Sequence, residues 1–279
     1  VVVLGPPGSG KSTLLRRLDL DIAAAGLRGE TDALAFYVPL GRYRVGPRAT
    51  SALGPKVWLA RTWAARNPAL PGLSTLVAEG RLVLLLDGLN EIPHADGADY
   101  RRQVSGWKRF LLEELAERPG NRVVFSCRSL DYSAPLSTPA LPVPQASVEP
   151  MDDAAMMAFV ERYSPERASE IWATLADPIR RSAFRSPYLL RLLVDQWDGE
   201  GVPPTDESAL FTGAVRRALR RETERDNPLF GPDGVLDARD VARLVQNVRW
   251  RSPYELPERG PLIPALARLA HDMQSRTST

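Results

Sequence analysis

The spacing of apolar positions changes about half-way along the chain. In the first half, short runs are apolar at successive positions: Val1-Val2-Val3-Leu4 before Gly5, Ala33 to Leu40, Arg81 to Leu86 with its core Leu82-Val83-Leu84-Leu85-Leu86, Arg122 to Cys127, and Ala146-Ser147-Val148. Runs of this kind predict strands covered on both faces, as in a parallel sheet. Between them the spacing becomes helical. Leu14, Leu15, Leu18 and Ile22 predict a helix from Ser12 to Ala25 that stops at Gly26, and an amphipathic pattern over Asp99 to Arg118 ends at Pro119-Gly120. Strands alternating with helices or long connections argue for an α/β fold with an open parallel sheet flanked by helices.

After Pro150 the strand signal nearly vanishes. Helical periodicity covers Met151 to Tyr163, Pro165 to Ala176, Tyr188 to Trp197, Ser208 to Arg225, Asp237 to Asn247 and Pro261 to Gln274. The breaks fall at Pro178, Pro187, Gly199 to Pro204, Asn227 to Gly234 and Ser252 to Pro257. The reading is an α/β domain over 1–150 and a small all-helical domain over 151–279. Arg216, Arg217, Arg220, Arg221 and Arg225 share one helix with Glu222 and Glu224, and read as a solvated face.

Composition narrows the classes. The 279 residues carry 36 Lys+Arg and 34 Asp+Glu, a formal net charge of +2. That balance gives no general reason to expect a nucleic acid or an anionic membrane as partner. One cysteine, Cys127, excludes an internal disulfide framework, and it reads as a buried, inert thiol. The longest uncharged run, Tyr132 to Val148, holds four prolines, so no spanning helix is expected. No charged-then-apolar leader opens the chain, and the expected location is the cytoplasm. A start at Val1 inside an apolar run reads as a piece of a longer polypeptide.

The chemistry begins at Gly5-Pro6-Pro7-Gly8-Ser9-Gly10-Lys11-Ser12, which fits G-x-x-x-x-G-K-[ST] in full, with Thr13 next. A strand precedes it and a helix follows, as a phosphate-binding loop requires. Glycines let backbone N–H groups curl around a polyphosphate, and the helix N-terminus adds its unpaired donors. Lys11 is expected to reach the β- and γ-phosphates, and Ser12 to place its hydroxyl on Mg²⁺.

The second chemical feature is the strand end Leu86-Asp87-Gly88-Leu89-Asn90-Glu91. A carboxylate at the C-terminal edge of a parallel sheet lies where ligands bind. Asp87 is expected to hold Mg²⁺ directly or through water, and Glu91 to polarise the attacking water. Neither Gly-Pro-Lys56-Val nor Gly-Trp-Lys108-Arg fits a guanine-reading motif, which favours ATP/ADP.

Gly5 to Thr13 together with Leu84-Leu85-Leu86-Asp87-Gly88-Leu89-Asn90-Glu91 resembles the NACHT domains of STAND signal-transduction NTPases, relatives of NOD-like receptors. The resemblance continues at Phe36, Val38-Pro39-Leu40, at Ser126-Cys127-Arg128 and at Ser186-Pro187-Tyr188-Leu189-Leu190. It departs at Asn90, where the family often has Asp. The resemblance implies that the Arg122 to Cys127 strand lies between the phosphate-loop strand and the Asp87 strand. It also implies that Arg128 senses the γ-phosphate and that Pro187 packs on the adenine ring.

By the same resemblance the chain is a nucleotide-gated switch with slow Mg²⁺-dependent ATP hydrolysis. It would self-oligomerise on activation and signal through sensor and effector regions outside these residues, in immune or stress signalling and, in a bacterium, defence against phage. Two other functions share the motifs: an ATP-hydrolysing remodelling enzyme of the AAA+ type, and a scaffold that binds nucleotide without hydrolysing it.

Overall fold

The computed structural model describes residues 1–43, 54–200, 204, 206–231, 233–246 and 250–277, with the side chains of 198–200 and 276–277 left out. Asn247, the expected end of one helix, lies outside the described residues. The chain forms two compact units, Val1–Pro150 and Met151–Thr279.

In the first unit five strands form one parallel sheet: β1 (Val2–Gly5), β2 (Leu34–Pro39), β3 (Leu82–Asp87), β4 (Arg122–Arg128) and β5 (Gln145–Ser147). Their order is β2-β3-β4-β1-β5, so β4 lies between β1 and β3 as the resemblance implied. Helix α1 (Lys11–Leu27) follows β1. Helices α2 (Pro55–Arg66) and α3 (Leu73–Ala78) lie between β2 and β3, and α4 (Gly97–Phe110) between β3 and β4.

Alternation along β3 shows why the sheet needs cover on both sides. Leu82, Leu84 and Leu86 join Phe36, Val38, Phe125, Cys127, Trp63, Leu76 and Trp107 in the larger core. Val83 and Leu85 pack on the other face with Leu15 of α1 and the half-buried Tyr37 and Val124. Asp87 continues the Val83, Leu85 row and so faces the α1 side.

The expected helix over Asp99 to Arg118 is shorter and begins earlier. Asp96 caps α4 by accepting the Asp99 N–H at 2.8 Å. After Phe110 the chain widens into a π-helical turn, Leu111–Leu115, where Ala116 N–H donates to Leu111 O at 2.9 Å.

The second unit contains α5 (Asp153–Tyr163), α6 (Ala168–Thr174), α7 (Pro178–Ala183), α8 (Pro187–Glu200), α9 (Glu207–Glu224), α10 (Ala238–Val245) and α11 (Leu262–Thr277). Met156, Val160, Ile171, Leu190, Leu193 and Leu210 form one core, and Leu219, Leu236 and Leu244 a second. The breaks expected at Pro178 and Pro187 fall at helix boundaries, and each proline opens the next helix. At α7, Asp177 accepts the Ile179 N–H at 2.9 Å, and a first-turn proline has no N–H that the helix would use.

The arginine row of α9 is not one solvated face. Arg216 is only 3% exposed; its Nη2 donates to Pro253 O at 3.1 Å and its guanidinium lies 4.8 Å from the Trp250 ring centroid. Arg217 donates to Leu192 O at 3.2 Å, while Arg220 pairs with Glu224 at the surface. Residues 25 to 37 positions away decide which members of the row are buried, and helical spacing alone does not contain them.

Candidate nucleotide and metal site

The loop between β1 and α1 has the backbone its glycines permit. Gly8 and Gly10 sit at φ 74° and 91°, the left-handed region that side chains disfavour. Gly5 is closed to larger residues for another reason: a Cβ there would meet Ser9 Oγ at 2.7 Å. Gly10 caps α1, whose first-turn N–H groups have no partner within the helix and point toward the loop.

Lys11 arches over this loop. Its Nζ donates to the Gly5 and Pro6 carbonyls at 2.8 Å each and to Ser9 Oγ at 3.4 Å. Its pKa lies below the ordinary lysine value, through burial first and the nearby positive charge of Arg128 second; Asp87 and Glu91 act in the opposite direction. A compact cation with that preference gains from an added anion.

Asp87 is the most heavily tied group at the sheet edge. Its Oδ1 accepts the Ser12 hydroxyl at 3.0 Å and the Ser126 hydroxyl at 2.6 Å, and its Oδ2 accepts the Tyr37 hydroxyl at 2.6 Å. Ser126 also accepts the Gly88 N–H at 2.8 Å. Gly88 turns the chain at φ 79°, and a Cβ there would stand 2.9 Å from Glu91 Cδ. The Glu91 side chain thus folds back over Gly88. It also borders Gly41, whose Cβ would lie 3.6 Å from Glu91 Oε2.

On β4 the register sets Arg128 against Gly5. The Arg128 N–H donates to Asn90 Oδ1 at 3.1 Å, and its guanidinium is 4.0 Å from Asp131. Cys127, fully buried, has its thiol pushed up to about 11, chiefly by burial, in keeping with an inert core thiol. His94 stays local, with Nδ1 2.6 Å from Ile92 O.

The donor set fits Mg²⁺. Ser12 Oγ and Asp87 Oδ1 are hard oxygen atoms side by side, and Mg²⁺ takes one or two carboxylates together with phosphates and water. Among the described residues no group of three or more His, Cys, Asp or Glu is placed to hold a metal ion, so a closed all-protein cage is not built there.

The NACHT domain family model matches residues 1–167, more than half of the chain and the whole of the first unit. The chain belongs to the NACHT family. It is a P-loop NTPase nucleotide-binding domain. Among solved structures, a Walker-type ATPase of Pyrococcus abyssi is similar at 15% identity, over 81% of this chain and 68% of the other, with a TM-score of 0.41. No curated protein matches. None of the helices among the described residues is long and apolar enough to cross a membrane.

In this NACHT chain Lys11, Ser12 and Asp87 converge at one sheet edge, with Glu91 and Arg128 at the ends of β3 and β4 beside it. Thr13 follows Ser12 in the exposed first turn of α1. Pro187 lies in the second unit, at the first residue of α8 and half-buried. Sequence reasoning did not single out Tyr37 or recognise Ser126 as a partner of Asp87. Each had a signal: a hydroxyl in an apolar strand, near the strand's C-terminal end. Only the pairing of Pro39 with Asp87, and of Leu86 with Phe125, shows that they flank Asp87.

Proposed function

We propose that this chain is an ATP/ADP-responsive switch that binds nucleotide with Mg²⁺ and hydrolyses ATP slowly. Its nucleotide state controls self-association and effector signalling, in immune defence such as that against phage. The observation that carries the reading is the Ser12 to Asp87 Oδ1 contact at 3.0 Å, beside a phosphate loop spanned by Lys11.

The roles follow from the chemistry at each position. Backbone N–H groups of residues 8–13 and the Lys11 ammonium hold the phosphates. The metal, when bound, neutralises charge on the β- and γ-phosphates. Glu91 orients water and accepts its proton as that water displaces ADP from the γ-phosphorus. ATP differs from ADP only in the γ-phosphate, so only groups that touch it can bias two states differently. We assign that contact to Arg128, whose backbone pairs with Gly5 in the sheet.

A second reading, a scaffold that binds without hydrolysis, draws on Asn90. Its amide oxygen holds the Arg128 N–H, which leaves Glu91 as the one acid of the pair.

Single-turnover hydrolysis and light scattering test the proposal. The wild type should hydrolyse bound ATP slowly and reach a higher mass with ATP than with ADP. Glu91→Gln should retain ATP and hydrolyse it about 10²-fold more slowly, the usual scale for a lost general base. Equal rates would remove Glu91 from the chemistry, and equal masses would remove the switch. ATP bound by the wild type without turnover would favour the scaffold.

A further inference from the structure

Asp87 has two oxygens and three hydroxyl donors, and the donors are unevenly shared. Ser12 and Ser126 both reach Oδ1, so rotation about the Cβ–Cγ bond is opposed by them at that oxygen alone. Among the described residues only the Tyr37 hydroxyl reaches Oδ2, at 2.6 Å. With Oδ1 and Oδ2 both held, the plane of the carboxylate is set. We infer that Tyr37 is a positioning residue of the metal site: its bond to Oδ2 keeps Oδ1 turned toward Ser12. This inference rests on the nucleotide-and-metal reading above.

Tyr37 is itself held in place. It lies in β2 opposite Leu85, two residues before the Pro39 that pairs with Asp87, so its side chain shares the α1-side face with Asp87. Its carbonyl accepts Arg66 Nη1 at 3.0 Å. The Arg16 guanidinium lies 5.3 Å from its ring centroid. An ordinary phenol is a donor at neutral pH, and this one stands 2.6 Å from Oδ2. The geometry also assigns different duties to the three hydroxyls. Ser12 would be shared with the metal, which leaves Ser126 and Tyr37 as the two hydroxyls that donate to Asp87 without also serving as ligands. Groups that orient a ligating carboxylate are commonly worth 10- to 100-fold in metal affinity.

The test separates metal affinity from nucleotide affinity. Tyr37→Phe keeps the ring between β2 and Arg16 and removes only the hydroxyl. Free Mn²⁺ is followed by electron paramagnetic resonance during titration into protein saturated with ADP. ADP affinity is measured separately in EDTA, which also shows that the variant is folded. The expected result is Mn²⁺ affinity about ten-fold weaker or worse, with metal-free ADP affinity within about two-fold of wild type. A role confined to strand packing would lower the melting temperature and leave the Mn²⁺ affinity of the ADP complex in place. Unchanged Mn²⁺ affinity in a variant that binds ADP would overturn the inference and leave the nucleotide reading standing. A wild type that binds no ADP, with or without Mn²⁺, would overturn both.

Discussion

Ser12 and Asp87, 75 positions apart, meet through one hydrogen bond of 3.0 Å at the edge of the sheet. These two side chains would hold the Mg²⁺ that accompanies a bound nucleoside triphosphate. Asp87→Asn should therefore weaken the Mg²⁺ dependence of ATP binding more than that of ADP binding. Three hydroxyls that donate to a charged acceptor would then face a neutral amide, at a cost of about 1–3 kcal/mol in stability. Mg²⁺ titrations with each nucleotide, together with urea unfolding, measure both. An unchanged Mg²⁺ titration would return Asp87 to a purely structural role.

Gly88→Ala tests the turn that carries Glu91. The new methyl would occupy a left-handed residue and stand 2.9 Å from Glu91 Cδ. Stability should fall by roughly 1–2 kcal/mol from the backbone alone. Glu91 must also move, so hydrolysis should drop while ADP affinity holds. A variant with wild-type turnover would show that the Glu91 position is not critical.

Asn90 joins the ends of β3 and β4 through the Arg128 N–H. Asn90→Asp keeps an acceptor there, so stability should change by no more than about 0.5 kcal/mol and hydrolysis should rise only slightly. Asn90→Leu removes the acceptor and should cost about 0.5–1.5 kcal/mol. It should also weaken discrimination between ATP and ADP, because Arg128 loses its anchor. Thermal shifts with both nucleotides read this; equal behaviour of the two variants would contradict the bridging role.

Alkaline pH should unfold the first unit in steps set by buried acids. The thiol of Cys127 is pushed up to about 11 and the phenol of Tyr100 to about 12, both chiefly by burial. Folded values above the ordinary ones mean that the fold favours the neutral forms. Their contribution is full below the ordinary thiol value of about 8.5 and is lost as pH rises toward these folded values. Urea midpoints from pH 8 to 11 should therefore fall, and Cys127→Ala should flatten the fall. Parallel curves for the two proteins would contradict the assignment.

The parts of this fold that were legible in the sequence are those whose signal is local. The apolar run of β3 and its terminal Asp87 could be read directly, as could the loop from Gly5 to Ser12. The position of β4 between β1 and β3 came from the family resemblance, since spacing alone does not order strands. Tyr37 stayed hidden because its function depends on register with β3. Helix α2 starts at Pro55 of Gly54-Pro55, and the six-residue α3 follows Pro71-Gly72; both dipeptides read as connection rather than helix. Pro178 marked the break after α6 but hid the short α7 that it opens, because a proline signals a helix boundary without saying on which side the helix lies. Arg216 misled because Trp250 and Pro253, far along the chain, bury it.

The central claim is that the Gly5 to Ser12 loop binds nucleotide phosphates through Lys11. Thermal or chemical unfolding with and without ADP and Mg-ATP measures it most directly, on wild type and Lys11→Ala in parallel. Ligand at 100 times its dissociation constant should stabilise the wild type by about 2.7 kcal/mol. Lys11→Ala should fold, since it loses only the bonds to Gly5 O, Pro6 O and Ser9 Oγ, and should show little or no stabilisation at the same ligand concentrations. Equal stabilisation of the two proteins, or none in the wild type, would contradict the account.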